Sequence, residues 1–291
     1  MKIANIVVFH MNPMSIGRLL KAVNHPAFDN YLHLDKKVSI DSYLHLSQLP
    51  QTYFVTKRVP VRWAGYSQVE AFISGMDEII KRGIKYDFVN LLSGQDYPVK
   101  PPELIYDYLS QHKERSFMIC ESPPSQWWNE AFRRYTNYHF IDYGFPGRYK
   151  LGMALSKLLP EREFPLSLEL YGGPYASYWI LSMDAALYVH RFLKNNFLHT
   201  QFFKHTWAPD EFLIHTLLMN SQFKDSIVNE NFHYMDRPIG ASRPKILTSN
   251  DLPKLKETHK FFARKFDPDV DSNILDLIDK EILFKENSLG V

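Results

Sequence analysis

An α/β fold with a central, mostly parallel sheet flanked by helices is what the chain predicts, and three observations carry that expectation. Apolar runs of strand length alternate with longer segments of helical periodicity, in the order strand, helix, strand, repeated. Residues 68–81 place Val69, Phe72, Ile73, Met76, Ile79 and Ile80 on one helical face. No Gly/Ser-rich or Pro-rich linker, repeat or low-complexity tract interrupts the chain. The expectation is therefore a single domain over 1–291, with a nucleotide-binding part at about 1–120 and an acceptor-binding, catalytic part at about 121–291.

The elements follow in order. The N-terminus, Met1–His10, is basic and then apolar, but its apolar run is too short for a secretory signal and no small-residue cleavage site follows, so Ile3–Phe9 reads as a first buried strand. Strands are expected at 31–34, 53–56, 88–92, 117–120 and 177–181. Between them, helix 68–81 has Ser67 and Glu70 spaced as a capping box, and helix 101–111 opens on Pro and Glu. Ligands in open α/β sheets bind beyond the carboxyl ends of strands. Asp35 and the loop Ser93-Gly-Gln-Asp-Tyr-Pro98 fall at such ends, which makes Asp35 and Asp96 candidates for the ligand side, although Asp96 equally suits a turn. Gly172-Gly173 supplies backbone freedom.

Composition narrows the class of function. At 291 residues and 45% hydrophobic, the chain can bury one large core or two small ones. A formal charge of +2 makes no case for a nucleic-acid partner. The lone Cys120 excludes an internal disulfide and fits a reducing compartment. No stretch approaches the ~20 apolar residues of a membrane span, so the expected location is cytoplasmic, with peripheral contact at the inner face of a membrane left open.

The chemistry concentrates late in the chain. Pro209-Asp210-Glu211 opens an apolar-periodic stretch, with Asp210 suited to cap a helix and Glu211 in its first turn, where unpaired N–H groups favour an anion. Arg243, in Gly240-Ala-Ser-Arg-Pro244, and Lys265, before Phe266-Asp267, add two fixed cations. An arginine grips a diphosphate bidentately and a lysine adds a point charge, so a base and a metal-free diphosphate clamp are both available.

In order along the chain stand Tyr31-Leu-His-Leu-Asp-Lys36, Val61-Arg-Trp-Ala-Gly-Tyr-Ser-Gln-Val-Glu-Ala71 and Asn90-Leu-Leu-Ser-Gly-Gln-Asp-Tyr-Pro98. Ala176-Ser-Tyr-Trp-Ile-Leu-Ser182, Pro209-Asp-Glu211 and Lys265-Phe-Asp267 follow. With these motifs the chain resembles the core-2/I-branching β-1,6-N-acetylglucosaminyltransferases and the related peptide O-xylosyltransferases, and looks like a bacterial member. The resemblance implies a GT-A-like nucleotide-sugar fold and an inverting, metal-independent transfer from a UDP-sugar, N-acetylglucosamine first, to a saccharide hydroxyl. It implies Glu211 as catalytic base, Arg243 and Lys265 on the UDP diphosphate and Asp35 on the nucleotide side, where the strand-end loop adds Asp96 as a further candidate. Glu121, Phe232 and Tyr234 would meet the acceptor, with Trp128 as an added wall. The chain departs from the pattern where Phe232 replaces a family Trp, and where a Pro-Pro-Ser-Gln-Trp-Trp stretch, 123–128, replaces basic residues.

Three alternatives accompany that reading. The donor can be xylose or glucuronate, or the aromatic content, 15% of residues, can belong to a non-catalytic carbohydrate-binding protein. The run Asp267-Pro-Asp-Val-Asp271 can hold a divalent cation, though it lacks the glycine and distal glutamate of a calcium loop. Its structural alternative is a helix over 274–283 capped by Asp271 or Ser272. The histidines show no paired spacing for zinc, and no cofactor is expected.

Overall fold

The computed structural model describes residues 1–10, 12–238 and 243–284. In chain order the strands are β1 (Ile3–Phe9), β2 (Phe28–Leu34), β3 (Thr52–Phe54), β4 (Phe88–Ser93), β5 (Tyr97–Pro98), β6 (Ser116–Met118), β7 (Trp179–Ser182), β8 (Ile227–Asn229), β9 (His233–Met235) and β10 (Phe262–Arg264). The helices are α1 (Pro13–Ala22), α2 (Ser67–Arg82), α3 (Pro102–Ser110), α4 (Gln126–Thr136), α5 (Arg148–Leu158), α6 (Met183–Asn195), α7 (Phe197–Lys204), α8 (Leu213–Met219), α9 (Leu252–Glu257) and α10 (Asn273–Ile278).

Seven strands form the main sheet in the order β3-β2-β1-β4-β7-β6-β8. β3, β2, β1 and β4 are parallel, β7 runs antiparallel to both β4 and β6, and β8 is parallel to β6. The expected α/β architecture with a mostly parallel sheet is therefore what the chain forms. β1 and β2 are buried along almost their whole length, as strands covered by helices on both faces of a parallel sheet are. One core, with Leu19, Leu92, Ile105, Phe262 and Ile274, lies on one side. The other, with Phe72, Met76, Trp179, Val189 and Leu217, lies opposite under α2, α6 and α8. Gly75 of α2 lets that helix sit directly on the sheet, since a Cβ there would stand 2.8 Å from the side chain of Ile6. A second, three-stranded sheet, β5-β10-β9, brings the C-terminal third of the chain against the loop after β4.

Local expectations differ from the structure at two helix starts. Ser67 and Glu70 form no capping box; the α2 cap comes from a distant residue, Asp142, which accepts from Ser67 N at 3.0 Å and from Ser67 Oγ. Asp210 caps no helix: Pro209–Glu211 is a short 3₁₀ turn, and α8 begins only at Leu213. Ala208 at φ +46° and Phe212 at φ −149° bend the chain on either side of the turn, so the acidic pair projects from a loop instead of lying on the helix. At the C-terminal end Asp271 does cap: its Oδ1 accepts from Asn273 N at 2.9 Å and Ile274 N at 3.1 Å. α10 then runs on as a wider turn over Asp279–Leu283. Among the described residues no helix is long and apolar enough to cross a membrane.

Candidate active site

A cleft opens beyond the carboxyl ends of β1, β2 and β4, where topology places ligands in such sheets. Its inner part is lined by Phe9, His10, Asp35, Leu92, Gly94 and Gln95, with Phe72 of α2 behind them. Its outer part is walled by Arg134, Tyr175, Trp207, Glu211, Arg237 and Arg243. Trp63, Gln68, Ser177, Tyr178, Asp210 and Arg264 line both parts and so stand at their junction.

Each strand end contributes for a local reason. Asp35 follows β2, with its backbone tied to Phe9 O at 2.8 Å and its carboxylate held by Lys37, through N at 2.9 Å and Nζ at 3.1 Å. Asp96 closes the turn after β4, accepting from Ser93 N at 2.6 Å and Ser93 Oγ at 2.8 Å. Its side chain is fully buried, 3.4 Å from Arg264 Nε and 3.7 Å from His233 Nε2. Asp96 therefore does not line the cleft; it lies beneath Arg264, which does. Burial alone would raise this carboxyl, but the Arg264 charge, with the nearby His233 imidazole, holds it below its ordinary range.

Arg264 is the cation that the sequence motifs pass over in favour of its neighbour. Its guanidinium carbon stands 4.3 Å from the centre of the Tyr178 ring, and its Nε finds no hydrogen-bond acceptor. Burial pulls it below its ordinary value against the pull of Asp96. Arg264 thus lines both parts of the cleft as a largely buried guanidinium whose Nε is directed at Asp96, 3.4 Å away. Lys265 follows it, half-buried, with its carbonyl accepting from Leu247 N at 2.9 Å. Arg243 reaches the outer cleft with its guanidinium 5.6 Å from the centre of the Trp63 ring; the preceding Gly240–Ser242, numbered 240–242, lie outside the described residues.

Glu211 faces the same outer space, and Arg134 Nη1 donates to its Oε2. The turn that carries it is pinned by Ala208 N donating to Ala64 O at 2.8 Å and by Gly173 N donating to Glu211 O at 3.3 Å. Gly172 is required there: a Cβ would stand 2.6 Å from Glu211 O and from Phe212 Cβ. The same glycine pairs with Glu121, whose N donates to Gly172 O at 2.6 Å, so Glu121 and Glu211 are joined through one backbone bridge 90 residues apart in sequence.

Asp210, expected only as a cap, is a second titrating group in the cleft. Burial and then the Glu211 charge push its carboxyl from 3.8 up to about 7. Because the folded value is the higher one, the neutral form stabilises fully below 3.8, and that contribution is lost as pH rises through about 7. Asp210→Asn is expected to gain in Tm over the parent at pH 8 and to lose that gain by pH 4; thermal melts across that range check it, and a pH-independent difference would contradict it.

The remaining expected acceptor residues do not gather here. Phe232, 5% exposed, sits in the first core, stacked on Phe261 with ring centres 4.1 Å apart. Tyr234 is half-buried against the same core. Side chains alternate along β9, so His233 turns toward Asp96 and Tyr178, Met235 lines the cleft, and Tyr234 points the other way. Trp128 is buried in the second core, its Nε1 donating to Glu121 O at 2.9 Å, so it props the Glu121 backbone and lies outside the cleft wall. The aromatic rings that share the outer cleft with Glu211 are Trp63, Trp207, Tyr175 and Tyr178. Arg134, Arg264 and Trp207 carried no recognisable local signal, since nothing in their neighbourhoods marks a cleft.

Comparison with known proteins follows the same lines. Residues 3–262 match the family model described as Core-2/I-Branching enzyme. Xylosyltransferase oxt of Drosophila pseudoobscura pseudoobscura is 27% identical over 289 residues, 89% of this chain and 31% of that protein. Human xylosyltransferase 2 is 25% identical over 311 residues, 96% of this chain and 33% of that protein. The chain thus spans about a third of the length of the relatives it matches. Mouse xyloside xylosyltransferase 1, in its apo form, aligns with a TM-score of 0.40 and 8% identity over 90% of this chain and 97% of that one. With a family model covering nearly the whole described sheet and its cleft, the chain belongs to the core-2/I-branching enzyme family.

Proposed function

We propose that this chain is an inverting glycosyltransferase of GT-A type that moves a sugar from a UDP-sugar to a hydroxyl of a saccharide acceptor, forming a β-linkage without a metal ion. The observation that carries the reading is the gathering of opposite charges in one cleft. Glu211, Arg243 and Arg264 all line the same outer cleft. Glu211 takes the proton of the acceptor hydroxyl as that oxygen attacks the anomeric carbon, and the bond from that carbon to the diphosphate oxygen breaks. Arg243, Arg264 and Lys265 meet the negative charge that develops on the departing UDP. Asp35 sits on the nucleotide side, Asp96 acts there by fixing Arg264, and Glu121 lies on the acceptor side.

N-acetylglucosamine is the first donor to test. Xylose is the second reading, favoured because the relatives above are named xylosyltransferases. Calorimetry with UDP, UDP-N-acetylglucosamine, UDP-xylose and UDP-glucuronate separates these, and absence of any UDP binding would overturn the reading. In excess EDTA, transfer or donor hydrolysis is expected to persist, and Asp269→Ala to leave it intact, because Asp271 is already engaged as a helix cap. Loss of activity in EDTA with recovery on manganese would move the diphosphate role to the 267–271 run.

A further inference from the structure

Arg134 stands in the last turn of α4, 77 residues before the carboxylate it touches. Its guanidinium lies between two partners: the Trp127 ring, 5.0 Å from its central carbon, and Glu211 Oε2. Its carbonyl accepts from Trp207 N at 2.9 Å, so the helix end and the loop carrying the acidic pair are stitched together by backbone as well as by side chain. Both members of the pair are about one-quarter exposed. A glutamate in a partly open cleft would otherwise sample several rotamers, and the planar fork of an arginine, itself stacked on an indole, restricts it to one.

We infer that Arg134 is the positioning residue of the base: it holds Glu211 Oε2 so that Oε1 is the oxygen that meets the acceptor proton, and Trp127 fixes Arg134 in turn. The inference rests on the reading of Glu211 as general base. It differs from a role for Arg134 in gripping the diphosphate, because the Arg134 charge is already engaged by Glu211.

Steady-state kinetics of Arg134→Gln, Arg134→Lys, Glu211→Gln and the double variant Arg134→Gln/Glu211→Gln test it. Arg134→Gln is expected to lower kcat on the order of 10–100-fold with donor and acceptor KM unchanged, as a misplaced catalytic group does. Arg134→Lys keeps a cation at the site and is expected to recover part of that loss. In the Glu211→Gln background, Arg134→Gln is expected to cost nothing further, because a residue acting only through another shows full non-additivity. A loss that adds to that of Glu211→Gln, or one that appears in KM, would overturn the inference and make Arg134 a ligand contact. Full activity of Glu211→Gln by itself would instead remove the base assignment on which it rests. Thermal melts of Arg134→Lys separate a folding defect from these outcomes.

Discussion

Glu211→Gln is expected to lower turnover by ~10²–10⁴-fold while leaving UDP-sugar affinity unchanged, the usual worth of a positioned general base. The substitution keeps the shape of the side chain and one oxygen for Arg134 but removes the acceptor of the proton. The turn itself survives because its ties are made by backbone, from Gly173 N to Glu211 O at 3.3 Å and from Ala208 N to Ala64 O at 2.8 Å. Single-turnover measurement at saturating donor isolates the transfer step from product release. Near-normal turnover of a folded Glu211→Gln protein would remove Glu211 from the mechanism, and the neighbouring Asp210, whose carboxyl is pushed by burial up to about 7, would become the group to test.

Asp96→Ala is expected to be the most destabilising single change in the cleft region, by about 3–5 kcal/mol, because it strands a buried cation. Arg264 has Asp96 as its counter-charge at 3.4 Å, and His233 Nε2 lies 3.7 Å from the same carboxylate. The Ser93 donors would lose their acceptor at the same time. Urea unfolding gives the free energy, and UDP titration of the folded fraction is expected to weaken, since Arg264 loses the group that aims it. The pH dependence has a definite sign. Asp96 is held below its ordinary 3.8 in the fold, so its contribution is present above that value and is lost as pH falls through the depressed one. A cost below about 1 kcal/mol would mean that water reaches Arg264 and compensates it, as at an exposed pair.

What the sequence determined by itself are the elements that a short repeat can encode. The alternation of buried apolar runs with a 3.6-residue period predicts β1, β2, β4, α2 and α3 to within a few residues, because burial of one face is a local demand on composition. It also places Asp35, Glu211 and Arg243 among the residues that line the cleft, two of them at recognisable motif positions, and it yields the cap made by Asp271.

Only the tertiary structure decided which side chains converge. β9 has three residues, and a shift of one position exchanges the two faces of a strand, so Met235 reaches the cleft where Tyr234 was expected. Phe232, at φ +56°, stands outside that alternation and turns into the core, where Phe261 stacks on it. Trp128 is drawn inward because it lies on the buried face of α4, while Arg134 on the same helix is left at the rim to meet Glu211. Asp142 caps α2 across 75 residues, and Arg264 lies over an aspartate 168 positions earlier in the chain. Pairings of this kind are set by how the β5-β10-β9 sheet docks on the turn after β4, a long-range closure for which no local periodicity can select, since the same sequence window satisfies its own propensities whichever partner it meets.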